Sequence, residues 1–282
     1  MKISQVIING KILPTNSASL GIDDLSIVRG YAIFDYFKTI DNRAIFLEDN
    51  LDRFYHSAKQ MDLIVPFSRD QIREQIYTLM KVNDIPSSGI KILLTGGYSI
   101  DGYTITTPNV IITQSELNRN LTNEQNGIRL ITFPYHRPFG TVKSIDYVMG
   151  IQALKKARKQ GADDVVYALN NQLSECPRAN IFIVDQFGTV ITPEKDILAG
   201  ITRKHVIEIA KNITSVEIRD VSLEDMANAS EAFITSTTKN ITPVIAIDDI
   251  KYGSSPGQVT TRLQEAFEVL TFKNYGVPIV KA

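Results

Sequence analysis

A single strongly polar run interrupts the chain. Between Leu117 and Gly127 it reads Asn118, Arg119, Asn120, Leu121, Thr122, Asn123, Glu124, Gln125, Asn126. A stretch with so little apolar surface has no core of its own to join and marks a connection between domains. The 282 residues exceed what one small domain holds and suit two modest ones. The expected organisation is a small domain over 1–117, a linker over 118–127 and a larger domain over 128–282.

The patterning changes across that run. Before it, Gln5-Val6-Ile7-Ile8 and Lys11-Ile12-Leu13 flank Asn9-Gly10, a pair that tolerates the positive φ angles of a hairpin turn. Asp41-Asn42 is a second turn signal between strands expected over 31–40 and 44–47. Leu47, Leu51, Phe54, Ala58 and Met61 recur at helical spacing and form one buried stripe. Ser68-Arg69-Asp70-Gln71 is a capping box that opens a second helix. Strands are expected again over 90–95 and 110–114. Beyond the linker, short strands dominate, over 128–133, 165–169, 181–184, 189–191, 216–221, 233–235 and 244–247. Helices are expected from 146 to Gly161, from 202 to 211 and from 258 to 270. The fold class is α/β, an α+β small lobe with a barrel-like α/β large lobe.

Composition narrows the function classes. Thirty Lys+Arg against 31 Asp+Glu leave a net charge of -1, without the basic excess of a nucleic-acid binder. No run reaches the roughly 18 apolar residues of a membrane helix, and Met1-Lys2-Ile3-Ser4-Gln5-Val6 lacks a signal-peptide layout. A lone cysteine, Cys176, excludes an internal disulfide framework and any CxxC site. His56, His136 and His205 are too scattered for a multi-histidine metal centre. A cytoplasmic enzyme without a metal is the expectation.

Four features have chemistry to offer, each beside a plainer reading. Gly200-Ile201-Thr202-Arg203 precedes a helical pattern; its free N–H groups suit an anion such as phosphate, or form an ordinary cap. Thr235-Ser236-Thr237-Thr238 follows an apolar strand and presents hydroxyls to phosphate oxygens, or makes a solvated turn. Arg53 lies two positions from Leu51, about 200° around the helix, which predicts a solvated side chain that binds phosphate only if the two lobes close over that face. Lys143, between Val142 and Ile145, has the apolar setting that makes a lysine amine nucleophilic, although spacing alone does not separate it from other lysines.

Taken in order, these residues resemble the class IV aminotransferases, fold-type IV enzymes that use pyridoxal 5′-phosphate. The likeness runs from Leu51-Asp52-Arg53-Phe54 through Lys143, Gly161-Ala162-Asp163-Asp164 and Glu175 with Asn180 in Glu-x-x-x-x-Asn-Ile-Phe. It continues to Gly-Ile-Thr-Arg at 200–203 and Thr-Ser-Thr-Thr at 235–238 with Ile241-Thr242-Pro243. It is strongest toward the D-amino-acid transaminase and branched-chain aminotransferase branches. The resemblance implies that Lys143 holds the cofactor and shuttles the substrate proton, and that Glu175 pairs with the pyridine nitrogen. Arg53, the backbone of Ile201 and Thr202, and the hydroxyls of Ser236 and Thr237 would grip the phosphate, with Asn180 among the cofactor contacts. Tyr147 would reach the phenolic oxygen. The same likeness implies a homodimer, a cofactor site where the lobes meet, and ping-pong exchange between an amino acid and a 2-keto acid.

The substrate side departs from the family. D-amino-acid transaminases trap the α-carboxylate with an Arg and a His on a loop that here reads Gly96-Gly97-Tyr98-Ser99-Ile100-Asp101-Gly102-Tyr103, without either residue. Arg178 stands between Glu175 and Asn180, where the family has small residues, and Arg29 precedes Gly30-Tyr31-Ala32-Ile33-Phe34-Asp35. Either Arg29 and Arg178 replace the trap, or Arg178 pairs with Glu175 or Asp35. Tyr31, Phe34, Tyr98 and Thr238 complete the candidate substrate contacts. Two arginines suit D-alanine and D-glutamate; an L-branched-chain transaminase reading the carboxylate through Tyr31, Tyr98 and Tyr103 is the rival. An aminodeoxychorismate-lyase-like enzyme and a non-catalytic binding protein on the same fold are the others. His136 and Arg137, shortly before Lys143, are further candidates to line the pocket.

Overall fold

The computed structural model describes residues 4–117, 121–253 and 256–273. The described chain falls into two compact units. One takes in residues 4–117 together with Val142–Asp146; the other takes in 121–141 and Tyr147–Lys273. Residues 118–120 of the expected linker lie outside the described residues.

The first unit is one sheet carrying two long helices. Its elements are β1 (Gln5–Ile8), β2 (Lys11–Pro14), α1 (Leu25–Val28), β3 (Ala32–Ile40), β4 (Arg43–Ala44), α2 (Leu47–Gln60), α3 (Arg69–Asn83), β5 (Ser88–Thr95) and β6 (Val110–Glu116). The strand order is β2-β1-β6-β5-β3-β4. Asn9 and Gly10 take positive φ and turn β1 into β2, and Ser68 and Gln71 cap α3 reciprocally. Leu47, Leu51, Phe54, Ala58 and Met61 are all buried, in one cluster with Phe37, Ile72, Ile76, Ile90 and Ile92. The strand expected over 44–47 is shorter than its pattern. Phe46 turns to φ 54° and the chain enters α2 at Leu47, leaving only Arg43–Ala44 in the sheet.

Val142–Asp146 packs onto this unit although it comes late in the sequence. The Phe34 N–H donates to the Lys143 carbonyl at 2.9 Å and the Ile145 N–H to the Ala32 carbonyl at 3.1 Å, while Val142 is buried in the core. The backbone of Lys143 is thereby fixed against β3.

The second unit is built on one large sheet. Its elements are α4 (Leu121–Asn126), β7 (Ile128–Phe133), α5 (Val148–Lys159), β8 (Asp164–Leu169), β9 (Gln172–Leu173), β10 (Glu175–Cys176), β11 (Ala179–Val184), β12 (Val190–Thr192), α6 (Ile201–Ala210), β13 (Val216–Ile218), β14 (Val221–Ser222), α7 (Leu223–Ala227), β15 (Glu231–Ser236), β16 (Asn240–Ile247), β17 (Ile250–Lys251) and α8 (Gln258–Lys273). The main path runs β13-β12-β11-β15-β16-β7-β8-β9-β14 and curls into a half-barrel. β7 and β8 are parallel, so the connection between them has to cross over, and α5 lies in it. The small residues Gly150, Ala153 and Ala157 face inward on α5, and Gly161 takes φ 71° just past its end. Phe182 stacks on Phe233 with ring centroids 4.8 Å apart.

Two features depart from the sequence pattern. The polar run is partly helical, and α4 is held by polar partners: Asn240 Nδ2 donates to Glu124 at 3.2 Å and Gln264 Nε2 to the Glu124 carbonyl at 2.9 Å. The stretch 216–221 is two strands: β13 pairs in parallel with β12, the Arg219 N–H completing that ladder at the Thr192 carbonyl, and the chain then bends so that β14 pairs with β9. Arg219 also grips Asp225, whose carboxyl caps α7 together with Ser222. That hydrogen bond, helped by Ser222, holds Asp225 at about 2, below its ordinary 3.8. The depressed value makes this interaction stabilising above pH 3.8 and lost as pH falls through about 2. An Asp225→Asn variant is expected to melt below the parent at neutral pH, with the gap closing between pH 4 and 2 in a series of thermal unfolding curves.

Candidate active site

The first unit supplies a buried polar seam. Asn50, Arg53 and Ser57 recur at i, i+3 and i+7 on α2, and all are buried, one helical ridge facing the sheet. Arg53 Nε donates to Asp35 Oδ2 at 2.9 Å and Nη2 to Oδ1 at 2.8 Å, with Asn50 Oδ1 at 3.3 Å from Nη2. The expectation of a solvated Arg53 is therefore wrong. β3 covers that face of the helix and presents Asp35, which is fully buried, so the guanidinium follows its counter-ion inward. Ser57 Oγ accepts from the Lys143 N–H at 3.3 Å. The Lys143 ammonium lies 4.7 Å from the centroid of the Phe34 ring.

The second unit supplies a row of polar residues across three strands. Glu175 on β10 faces Asn180 on β11, and Asn180 faces Thr235 on β15. Residues directly opposite in antiparallel pairs share a face, so the three side chains form one line. Glu175 is buried, and both its oxygens are held: Arg137 Nε donates to Oε1 at 2.9 Å and the Leu198 N–H to Oε2 at 2.9 Å. Asn180 Nδ2 donates to the Leu198 carbonyl at 2.9 Å. Its Oδ1 sits where a Cβ on residue 200 would be, which is why Gly200 stands at the start of α6. No side chain caps α6 at Gly200, so the N–H groups of Ile201 and Thr202 remain suited to an anion. Thr235 Oγ1, buried on the same face, has no hydrogen-bond partner among the described residues. Such a hydroxyl costs about 1–3 kcal/mol unless a ligand or water satisfies it.

Neighbouring groups stay uncharged. Burial, then the nearby Tyr135 and Glu175, pushes the Tyr167 hydroxyl up. Burial likewise pushes the Cys176 thiol well up, which makes it an inert packing residue and no nucleophile. Tyr147 precedes α5 with its ring beside Gly150. Ser236 Oγ accepts from the Lys239 N–H at 3.2 Å; Thr237 is half-buried and Thr238 exposed.

Among the substrate candidates, Arg178 occupies the exposed Pro177-Arg178 turn between Glu175 and Asn180. It takes neither of the acids weighed for it, because Glu175 pairs with Arg137 and Asp35 with Arg53. Arg29 is exposed and stacks 4.6 Å from the Tyr103 centroid. The Tyr31 hydroxyl donates to the Met61 carbonyl at 2.7 Å, and the Tyr98 hydroxyl accepts weakly from the Gly21 N–H at 3.4 Å. Sequence reasoning missed three things: Asp35 as the partner of Arg53, Arg137 as the partner of Glu175, and the orphan hydroxyl of Thr235. Arg137 sits between Pro134 and Pro138, a rigid bracket that was the available signal.

Taken separately, the first unit offers a lysine amine over an aromatic ring, and the second a buried carboxylate paired with an arginine, a helix start without a side-chain cap and an unsatisfied buried hydroxyl. The model of the class IV aminotransferase family matches residues 32–247, most of the chain, and the chain belongs to that family. The D-alanine aminotransferase of Listeria monocytogenes is 28% identical over 280 residues, covering 93% of this chain and 94% of that protein. The D-alanine aminotransferase of Staphylococcus haemolyticus is 27% identical over 274 residues, covering 94% and 97%. Among solved structures, a branched-chain amino acid aminotransferase from T.th., determined with pyridoxamine 5′-phosphate, superposes with a TM-score of 0.88 at 26% identity, covering 96% of this chain and 95% of that one.

Proposed function

We propose that this aminotransferase takes the amino group of a small or dicarboxylic D-amino acid, D-alanine or D-glutamate, and passes it to a 2-keto acid, with Arg29 and Arg178 holding the α-carboxylate. The family's cofactor is pyridoxal 5′-phosphate, which supplies an electron sink for the breaking α-C–H bond. Lys143 Nζ would hold it and serve as the acid–base group for the substrate α-proton. Glu175, held by Arg137 and the Leu198 N–H, would pair with the ring nitrogen. The Ile201 and Thr202 N–H groups and the hydroxyls of Ser236 and Thr237 would take the phosphate, and the orphan Thr235 Oγ1 would be a further donor. A guanidinium has five N–H donors, so Arg53 can serve a phosphate oxygen while braced by Asp35. Asn180 ties the approach to α6 through the Leu198 carbonyl, and Tyr147 would meet the phenolic oxygen.

The observation that carries the substrate reading is Arg178, exposed in the turn of the Glu175–Asn180 hairpin and in no ion pair among the described residues. A guanidinium fork suits a carboxylate. In the L-branched-chain reading tyrosine hydroxyls are the donors; the proton of Tyr31 is committed to Met61, which leaves that role to Tyr98 and Tyr103. Exposed Ile22, Ile27, Ile100 and Tyr103 on the first unit support a homodimer, since clustered exposed apolar side chains mark association surfaces. The lone, buried Cys176 suits the cytoplasm.

The test is a half-reaction panel with D-alanine, D-glutamate, L-leucine and L-glutamate, following loss of the visible band of the bound cofactor. The two D-amino acids should react; conversion of the L-amino acids alone would overturn the reading. Arg178→Ala should raise KM for amino acid and keto acid roughly 10- to 100-fold, the loss of one hydrogen bond to a charged group. An unchanged KM would remove Arg178 from the trap.

A further inference from the structure

We infer that Arg137 is a positioning residue of the amino-group transfer, acting through Glu175 to present an ionised carboxylate in a fixed direction to the cofactor ring nitrogen. The inference rests on the role proposed above for Glu175. It is carried by the way Arg137 is tied. Its Nε donates to Glu175 Oε1 at 2.9 Å, and its Nη2 donates to the Gly140 carbonyl. Gly140 is itself pinned, because a Cβ there would press on the backbone of Asp196. The Leu198 N–H holds the other oxygen. The carboxylate therefore has a cation on one oxygen and an amide on the other, and neither side chain has room to swing: Glu175 and Arg137 are 6% and 14% exposed.

A buried carboxylate without a counter-ion takes up a proton and loses its ability to hold a heterocycle cationic. Four neighbouring groups are neutral or engaged elsewhere. Tyr167 and Cys176 stay neutral through burial, and Lys239 is spent on Asp164 at 2.8 Å. Arg203, which also feels Glu175 and Glu194, spends its Nε on Thr192 Oγ1 and its Nη2 on the Pro193 carbonyl. Arg137 is a cation in direct contact, and a guanidinium keeps its charge throughout the working pH range.

The experiment compares Arg137→Met, Arg137→Lys, Glu175→Gln and the double variant Arg137→Met/Glu175→Gln, each loaded with pyridoxal phosphate. The readouts are the equilibrium dissociation constant for pyridoxal phosphate, the pH dependence of its visible spectrum, and the half-reaction rate. Arg137→Met should slow the half-reaction about 10- to 100-fold and move its acid limb to higher pH, because a carboxylate stripped of its cation protonates more readily. Arg137→Lys, which keeps the charge, should recover most of the rate. The double variant should be no slower than Glu175→Gln alone, since a residue acting through another adds nothing once that one is gone. Losses that multiply in the double variant, a Lys variant as impaired as the Met variant, or a wild-type profile in Arg137→Met beside an impaired Glu175→Gln would overturn the inference. A Glu175→Gln enzyme with unchanged spectrum, affinity and rate would instead overturn the underlying role of Glu175, and the inference with it.

Discussion

Replacing Lys143 with alanine is expected to lower turnover by at least about 10²–10⁴-fold, the loss that follows removal of a positioned acid–base group, while leaving the chain folded. The two effects separate because Lys143 holds its place through its backbone. The carbonyl accepts from Phe34 and the N–H donates to Ser57, and neither bond needs the side chain. The ammonium rests over the Phe34 ring, a contact worth about 0.5–1 kcal/mol at an accessible site. Without cofactor the variant should therefore unfold in one cooperative transition close to the parent's, and with cofactor it should fail in transfer between amino acid and keto acid. Activity within a fewfold of the parent would contradict the assignment.

The second large effect is on stability. Asp35→Ala leaves the Arg53 guanidinium buried without a counter-ion, and breaking one partner of a buried pair costs about 3–5 kcal/mol. Asp35 is fully buried and Arg53 is 9% exposed, so water does not readily take over. Asn50 Oδ1, at 3.3 Å from the guanidinium, is neutral and does not replace the lost charge. Replacing both residues, as Asp35→Ala with Arg53→Met, should recover much of that loss, because an apolar pair of similar volume removes the uncompensated charge. Urea unfolding of the single and double variants measures both numbers. A single variant within about 1 kcal/mol of the parent would show that the pair is better solvated than its burial indicates.

Much of the architecture was legible because local rules and packing agree in this chain. The Asn9-Gly10 turn, the Ser68–Gln71 capping box, the apolar stripe of α2 and Gly161 past the end of α5 each carry a signal within a few residues. What failed was nonlocal. Helical periodicity identifies an apolar face and is silent about a polar one, so the Asn50–Arg53–Ser57 seam needed β3 to reveal it. Val216, Ile218 and Val221 look like one strand because alternation continues across the turn at Arg219. The class IV likeness reached the fold class and the family, since short motifs in family order survive where overall identity is low. The pairing of Arg137 with Glu175, 38 positions away, carries no spacing signature at all.

Reduction of the pyridoxal-phosphate-loaded protein with borohydride, followed by peptide mapping, tests the central claim most directly. The account predicts a single pyridoxyl group, on the Nζ of Lys143. A label on any other lysine, or no label, would contradict it.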